Sequence, residues 1–120
     1  PDVRLPGGAA IAVQSTRALV AVDVNTGADA SPAAALKANL AALRALPRAL
    51  RLRGLGGQVV VDLAPLMKKD RKQAEQVARA ALKADPVETA FVGWTPLGHV
   101  ELQRKRERVP LDAALLEAAR

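Results

Sequence analysis

The stretch ALVAVDVNTG, residues 18–27, runs through small and β-branched residues into an acid, an amide and a turn. Its first eight residues read as a strand. An aspartate at the end of a buried strand is costly unless something compensates it, so Asp23 raises the question of its partner. Downstream, TGADAS (26–31) is a loop of turn residues. Ser31-Pro32 is a helix start, with serine as the cap and proline at the first position. From 33 to 53 the pattern is helical: Leu36, Leu40, Leu43, Leu46 and Leu50 recur at spacings of three and four. Pro47 lies inside this run and predicts a kink or two shorter helices. Arg51 and Arg53 suit the negative end of a helix and Gly54 a left-handed cap. GGQVVVDLAPL (56–66) then reads as a strand buried on both faces, ending in Asp62.

Two strands ending in aspartate are thus joined by one helix. Such a unit places its strands parallel with a right-handed crossover. As neighbours, Asp23 and Asp62 lie side by side at the carboxyl edge of the sheet, where open α/β sheets bind ligands. Alternation puts Asn25 on the face of Asp23. Two carboxylates one strand spacing apart, about 4.8 Å, repel unless a proton or a cation lies between them. Mg²⁺ suits such a pair, because it takes one or two carboxylates and completes its shell with water and substrate phosphate. Asn25 is then placed to orient Asp23 through its amide. The same residues also read as turn formers: DVNTG is an Asx-turn sequence and Asp62 can cap the loop that follows it.

The remaining segments complete a mixed α/β pattern. DVRLPGGAAIAVQST (2–16) reads as two short strands about a turn at Pro6-Gly7-Gly8. A second helix spans 68 or 69 to 84, with Ala74, Val77, Ala81 and Leu82 inward. VETAFVGWT (87–95) and GHVELQRKR (98–106) form a hairpin about residues 96–98, and Pro110 opens a last helix, LDAALLEAAR. The order β-β-β-α-β-α-β-β-α implies one mixed sheet with helices packed on it, a single domain over 1–120.

Composition narrows the function classes. The 120 residues contain no cysteine, which excludes a disulfide scaffold, a thiol nucleophile and a Cys-based zinc site within the chain and fits a reducing, cytoplasmic setting. No apolar run approaches the roughly 20 residues of a membrane span. The chain opens on Pro1 in mid-pattern and is expected to be a piece of a longer protein. The formal net charge of +6 fits either an anionic partner, most commonly nucleic acid, or a solvated basic surface. The cations cluster at Arg48, Arg51 and Arg53, at Lys68, Lys69, Arg71 and Lys72, and at Arg104, Lys105, Arg106 and Arg108. Phe91 and Trp94 are the only aromatics, so nucleic acid would be held by its phosphates rather than stacked on rings. ELQRKRER (101–108) reads as a solvated edge strand or, beside a paired acidic site, as a phosphate rail. The single histidine, His99, reads as a surface or half-buried hairpin residue rather than a general base. No serine or threonine has an evident base beside it. The LPGG and LGG stretches lack the length and lysine of a phosphate loop and read as turns.

Three segments in order, ALVAVDVNTG (18–27), LRLRGLGGQVVVDL (50–63) and TPLGHVELQRKR (95–106), resemble successive motifs in the catalytic region of the RNase E/G family of bacterial endoribonucleases. KANLAAL (37–43) resembles the family's segment between its two acids. The resemblance covers the chain and points to the DNase I-like subdomain that carries the catalytic metal. It implies that Asp23 and Asp62 are the Mg²⁺-binding aspartates and that Asn25 is the asparagine supporting the first. It also implies Mg²⁺-dependent hydrolysis of single-stranded RNA, leaving a 5′-phosphate and a 3′-hydroxyl, in RNA processing, and a homo-oligomer in the full-length protein. Lys68, Lys69, Arg71, Lys72, Arg104, Lys105, Arg106 and Arg108 would then contact RNA. This sequence departs from the family pattern in a shorter loop after Asn25 and in Ala41, where the family has glutamate. A degenerate relative that binds RNA or scaffolds without cleaving is the alternative; it needs the basic clusters but not two adjacent carboxylates.

Overall fold

A computed structural model of the chain describes residues 2–106. The strands are β1 (Asp2–Arg4), β2 (Ala10–Ser15), β3 (Val20–Asn25), β4 (Gly57–Asp62), β5 (Thr89–Trp94) and β6 (Val100–Arg104), with helices α1 (Pro32–Leu52) and α2 (Arg71–Ala84). Short 3₁₀ turns at Pro6–Gly8 and Lys68–Asp70 precede β2 and α2. The six strands form one mixed sheet in the order β1-β2-β3-β4-β6-β5, an α+β architecture. The expected element order holds through β6. The helix expected after Pro110 lies outside the described residues.

The predicted parallel pairing holds. β3 and β4 are parallel, and α1 joins them. Alternation drives the packing: Val20, Val22 and Val24 of β3 and Val59 and Val61 of β4 are buried, together with Ile11, Val100 and Leu102. Against these side chains α1 lays Ala38, Ala42, Leu46, Ala49 and Leu50. A second cluster joins Leu40 and Leu43 of α1 to Ala74 and Ala78 of α2. Each fully buried valine or leucine contributes about 1.5–3 kcal/mol relative to exposure, so this layer holds the sheet.

Both helices cover the same face of the sheet. β4 is therefore buried on one side only, not on both as its apolar run suggests: Gln58 and Val60 are half-buried and Asp62 is exposed. The opposite face carries Asp23, Asn25, Asp62, Glu101 and Gln103.

The predicted boundaries of α1 hold to within one residue, whereas α2 starts at Arg71, after the 3₁₀ turn Lys68–Asp70, rather than at 68 or 69. Ser31 Oγ accepts the Ala34 N–H at 3.2 Å. At the other end Gly54 has φ +64°, with Leu55 N–H donating to Leu50 O at 3.0 Å and Gly54 N–H to Arg51 O at 3.1 Å. This is a Schellman closure, which favours glycine. Pro47 does not divide α1, which is one helix across it. The proline forfeits a single backbone bond, and buried Leu46, Ala49 and Leu50 on either side keep the helix seated. Gly27, at φ +82°, lies where a Cβ would meet the Gly8 carbonyl oxygen at 2.5 Å. The loop after β3 thus passes directly over the β1–β2 turn.

Candidate active site

The acids meet as the crossover requires. In the β3–β4 register Asp23 stands opposite Asp62. Both point away from the helices, since their neighbours Val22, Val24 and Val61 are buried on the helix side. The Asp62 side chain is 61% exposed. Among the described residues the Asp23 side chain has no hydrogen-bond or ion-pair partner, and no lysine or arginine neutralises Asp62. Asn25 is exposed on the same face, two residues along, and makes no hydrogen bond to Asp23; the expected amide contact is not present.

Two carboxylates on adjacent strands, with no lysine or arginine between them among the described residues, are a hard-oxygen donor set. Among the described residues no three His, Cys, Asp or Glu side chains converge as a metal-binding group. Such a site suits an ion that takes two carboxylates and keeps its waters, as Mg²⁺ does, and not a tetrahedral structural metal.

Two features hold the edge in place. The first is Asn39, fully buried in α1. Its Nδ2 donates to Ala64 O at 2.9 Å and its Oδ1 accepts Ala64 N–H at 2.8 Å, fastening the backbone two residues past Asp62. Sequence reasoning assigned Asn39 no role; the available signal was an amide within the stripe of Leu36, Leu40 and Leu43. The second feature is the β5–β6 hairpin. Thr95 N–H donates to His99 O at 2.8 Å, and His99 N–H donates to Thr95 Oγ1 at 3.0 Å. Trp94 Nε1 donates to Glu75 Oε1 at 3.1 Å, and the Arg71 guanidinium lies 5.1 Å from the Trp94 ring centre. These contacts tie the hairpin to α2. Hydrogen bonds from Arg79 and then Trp94 hold the Glu75 carboxyl below its ordinary range.

The hairpin brings one more residue to the acids. β6 pairs with β4 through Val61↔Val100, and the next step of that register sets His99 across from Asp62. His99 Nδ1 lies 3.3 Å from Asp62 Oδ1.

The basic clusters separate. Lys68, Lys69 and Lys72 are exposed where the chain leaves β4 and enters α2, at the edge that carries Asp62. Arg71, in the same cluster, is half-buried and packs on Trp94. The third cluster is not beside the acids. β6 runs antiparallel to β4, so Arg104 pairs with Gly57 at the far end, roughly 17 Å from Asp62 at strand rise. Lys105 and Arg106 follow at that far edge, exposed. Arg104 is a correction: its side chain is 1% exposed and paired with Asp85 at 3.0 Å, so it cannot touch RNA phosphate. Period two explains this, since Arg104 shares the helix-side face with Val100 and Leu102. Arg108 lies outside the described residues.

A profile of the ribonuclease E/G family matches residues 1–107. The chain belongs to the ribonuclease E/G family. It is 35% identical over 118 residues to Ribonuclease G of Salmonella typhimurium (strain SL1344), covering 94% of this chain and 24% of that protein. It is 34% identical over 118 residues to Ribonuclease G of Escherichia coli (strain K12), with the same coverage. It is 38% identical over 112 residues to Ribonuclease E of Nostoc sp. (strain PCC 7120), covering 89% of this chain and 16% of that protein. The chain thus spans about a quarter or less of the ribonucleases it matches. Among the described residues no helix is long and apolar enough to cross a membrane.

Proposed function

We propose that this chain is the metal-bearing catalytic segment of an RNase E/G-family endoribonuclease, with a DNase I-like subdomain fold, acting on single-stranded RNA. The observation that carries the reading is the Asp23–Asp62 pair: adjacent in register, solvent-facing and, among the described residues, without a lysine or arginine partner. A surface that only bound RNA would gain nothing from two carboxylates there, because they repel phosphate. Membership of a ribonuclease family supports the same reading.

Asp23 and Asp62 would hold Mg²⁺. When bound, the ion supplies an activated water and offsets charge developing at the scissile phosphate. Asn25, exposed on the same face two residues along, would support Asp23 or the phosphate when the site is loaded. Lys68, Lys69 and Lys72 neutralise flanking phosphates at the acid edge. Arg71 serves mainly to hold the hairpin through Trp94. Lys105 and Arg106, at the opposite edge, meet RNA only where the strand continues across the open face.

The test is cleavage of a labelled single-stranded RNA by the full-length protein with Mg²⁺ titrated. Asp23→Asn and Asp62→Asn should each lower the rate by at least about 100-fold, since loss of an outer-shell partner alone costs 10–100-fold, while RNA binding persists. Parental cleavage by either variant would overturn the assignment.

A further inference from the structure

We infer that His99 is a positioning residue for Asp62, a role that rests on the metal reading above. Two adjacent strands and the residue before a third make a row across the open face: Asp23 of β3, Asp62 of β4 and His99, which immediately precedes β6. Nδ1 of His99 lies 3.3 Å from Oδ1 of Asp62, and this is the only side-chain partner of that carboxylate among the described residues. The imidazole is held from behind. Its backbone closes the hairpin with Thr95 in both directions. The adjoining Gly98, at φ +86°, takes a left-handed conformation that favours glycine and lies against the Arg71 guanidinium. Arg71 and Trp94 fasten that turn to α2.

A two-carboxylate site has few ways to keep each oxygen aimed. Asp62 sits at a strand end with its side chain mostly in water, free to rotate about its side-chain bonds. The imidazole beside Oδ1 selects one rotamer. With Nδ1–H donating to Oδ1 in the loaded state, Oδ2 is left for the cation shared with Asp23. His99 touches neither ion nor RNA in this scheme; it lowers the entropy that Asp62 gives up on binding.

The measurement is Mn²⁺ binding by electron paramagnetic resonance on this chain, with Mn²⁺ alone as the probe, alongside the Mg²⁺ concentration for half-maximal cleavage by the full-length protein. His99→Leu should weaken Mn²⁺ binding about tenfold, the low end for an outer-shell partner, and raise the Mg²⁺ requirement equally, with KM for RNA at saturating Mg²⁺ unchanged. His99→Asn, whose amide N–H sits where Nδ1 does, should regain most of the loss. His99→Phe keeps the ring volume and replaces His99→Leu if that variant does not fold. Parental Mn²⁺ affinity in His99→Leu or His99→Phe overturns the role of His99 alone, as does an His99→Asn variant as weak as they are. A parent chain that binds no Mn²⁺ overturns the metal reading itself.

Discussion

Replacing Asp85 with alanine removes the one carboxylate, among the described residues, that faces the buried Arg104. Arg104 is 1% exposed and the Asp85 side chain 2% exposed. Arg104 Nη2 donates to Asp85 Oδ2 at 3.0 Å and to Pro47 O at 3.4 Å, and Nη1 donates to Thr89 Oγ1 at 3.0 Å. Asp85 also accepts from Arg51 and from Val87 N–H. Asp85→Ala leaves the guanidinium with two neutral acceptors and no counter-charge. Breaking a buried pair in this way costs about 3–5 kcal/mol, a large part of the 5–15 kcal/mol typical of a domain. At about 4 °C per kcal/mol for a chain of this size, Tm should fall by about 12–20 °C. Arg104→Met should cost less, about 2 kcal/mol, because Asp85 keeps Arg51 and the Val87 amide. The double variant should be more stable than Asp85→Ala alone, since no charge is then stranded. Urea unfolding followed by Trp94 emission, with the m-value checked for constancy, gives these numbers. Asp85→Ala within about 1 kcal/mol of the parent, or a double variant that simply sums the two losses, would refute the reasoning.

Asn39→Ala strands both the N–H and the carbonyl of Ala64, so unfolding free energy should drop by about 2–4 kcal/mol; Mn²⁺ binding should weaken as well, because the backbone behind Asp62 is released. Lys68→Ala with Lys69→Ala should weaken single-stranded RNA binding regardless of sequence and flatten the log K against log salt slope by about 1.4, read by fluorescence anisotropy. Lys105→Ala with Arg106→Ala should leave the cleavage rate at saturating RNA unchanged, because those residues stand at the other end of the sheet; a fall in that rate would place them beside the chemistry.

Much of this arrangement was legible in the residues. One helix between two Val-rich strands favours parallel pairing, and the register Val20↔Val59 brings Asp23 level with Asp62. Ser31-Pro32 and Gly54 marked the ends of α1 because each has a distinct backbone preference. What escaped was set by sheet order. The β5–β6 hairpin can join β4 through either strand, and only docking through β6 sets His99 across from Asp62 and carries Lys105 and Arg106 to the far edge. Arg104 was hidden by its neighbours: QRKR reads as surface charge, yet period two aligns it with Val100 and Leu102, and its partner Asp85 stands 19 residues upstream at the C-cap of α2. Asn39 was masked by an otherwise apolar helix face. Pro47 misled because packing on the sheet outweighs one lost backbone bond.

The central claim is that Asp23 and Asp62 together hold one divalent cation. Titrating Mn²⁺ into the chain under electron paramagnetic resonance, with Asp23→Asn and Asp62→Asn in parallel, tests it directly. One bound ion per parent chain, displaced by Mg²⁺ and lost in each variant with unchanged Tm, is the predicted result. Undiminished Mn²⁺ binding in either variant would contradict it.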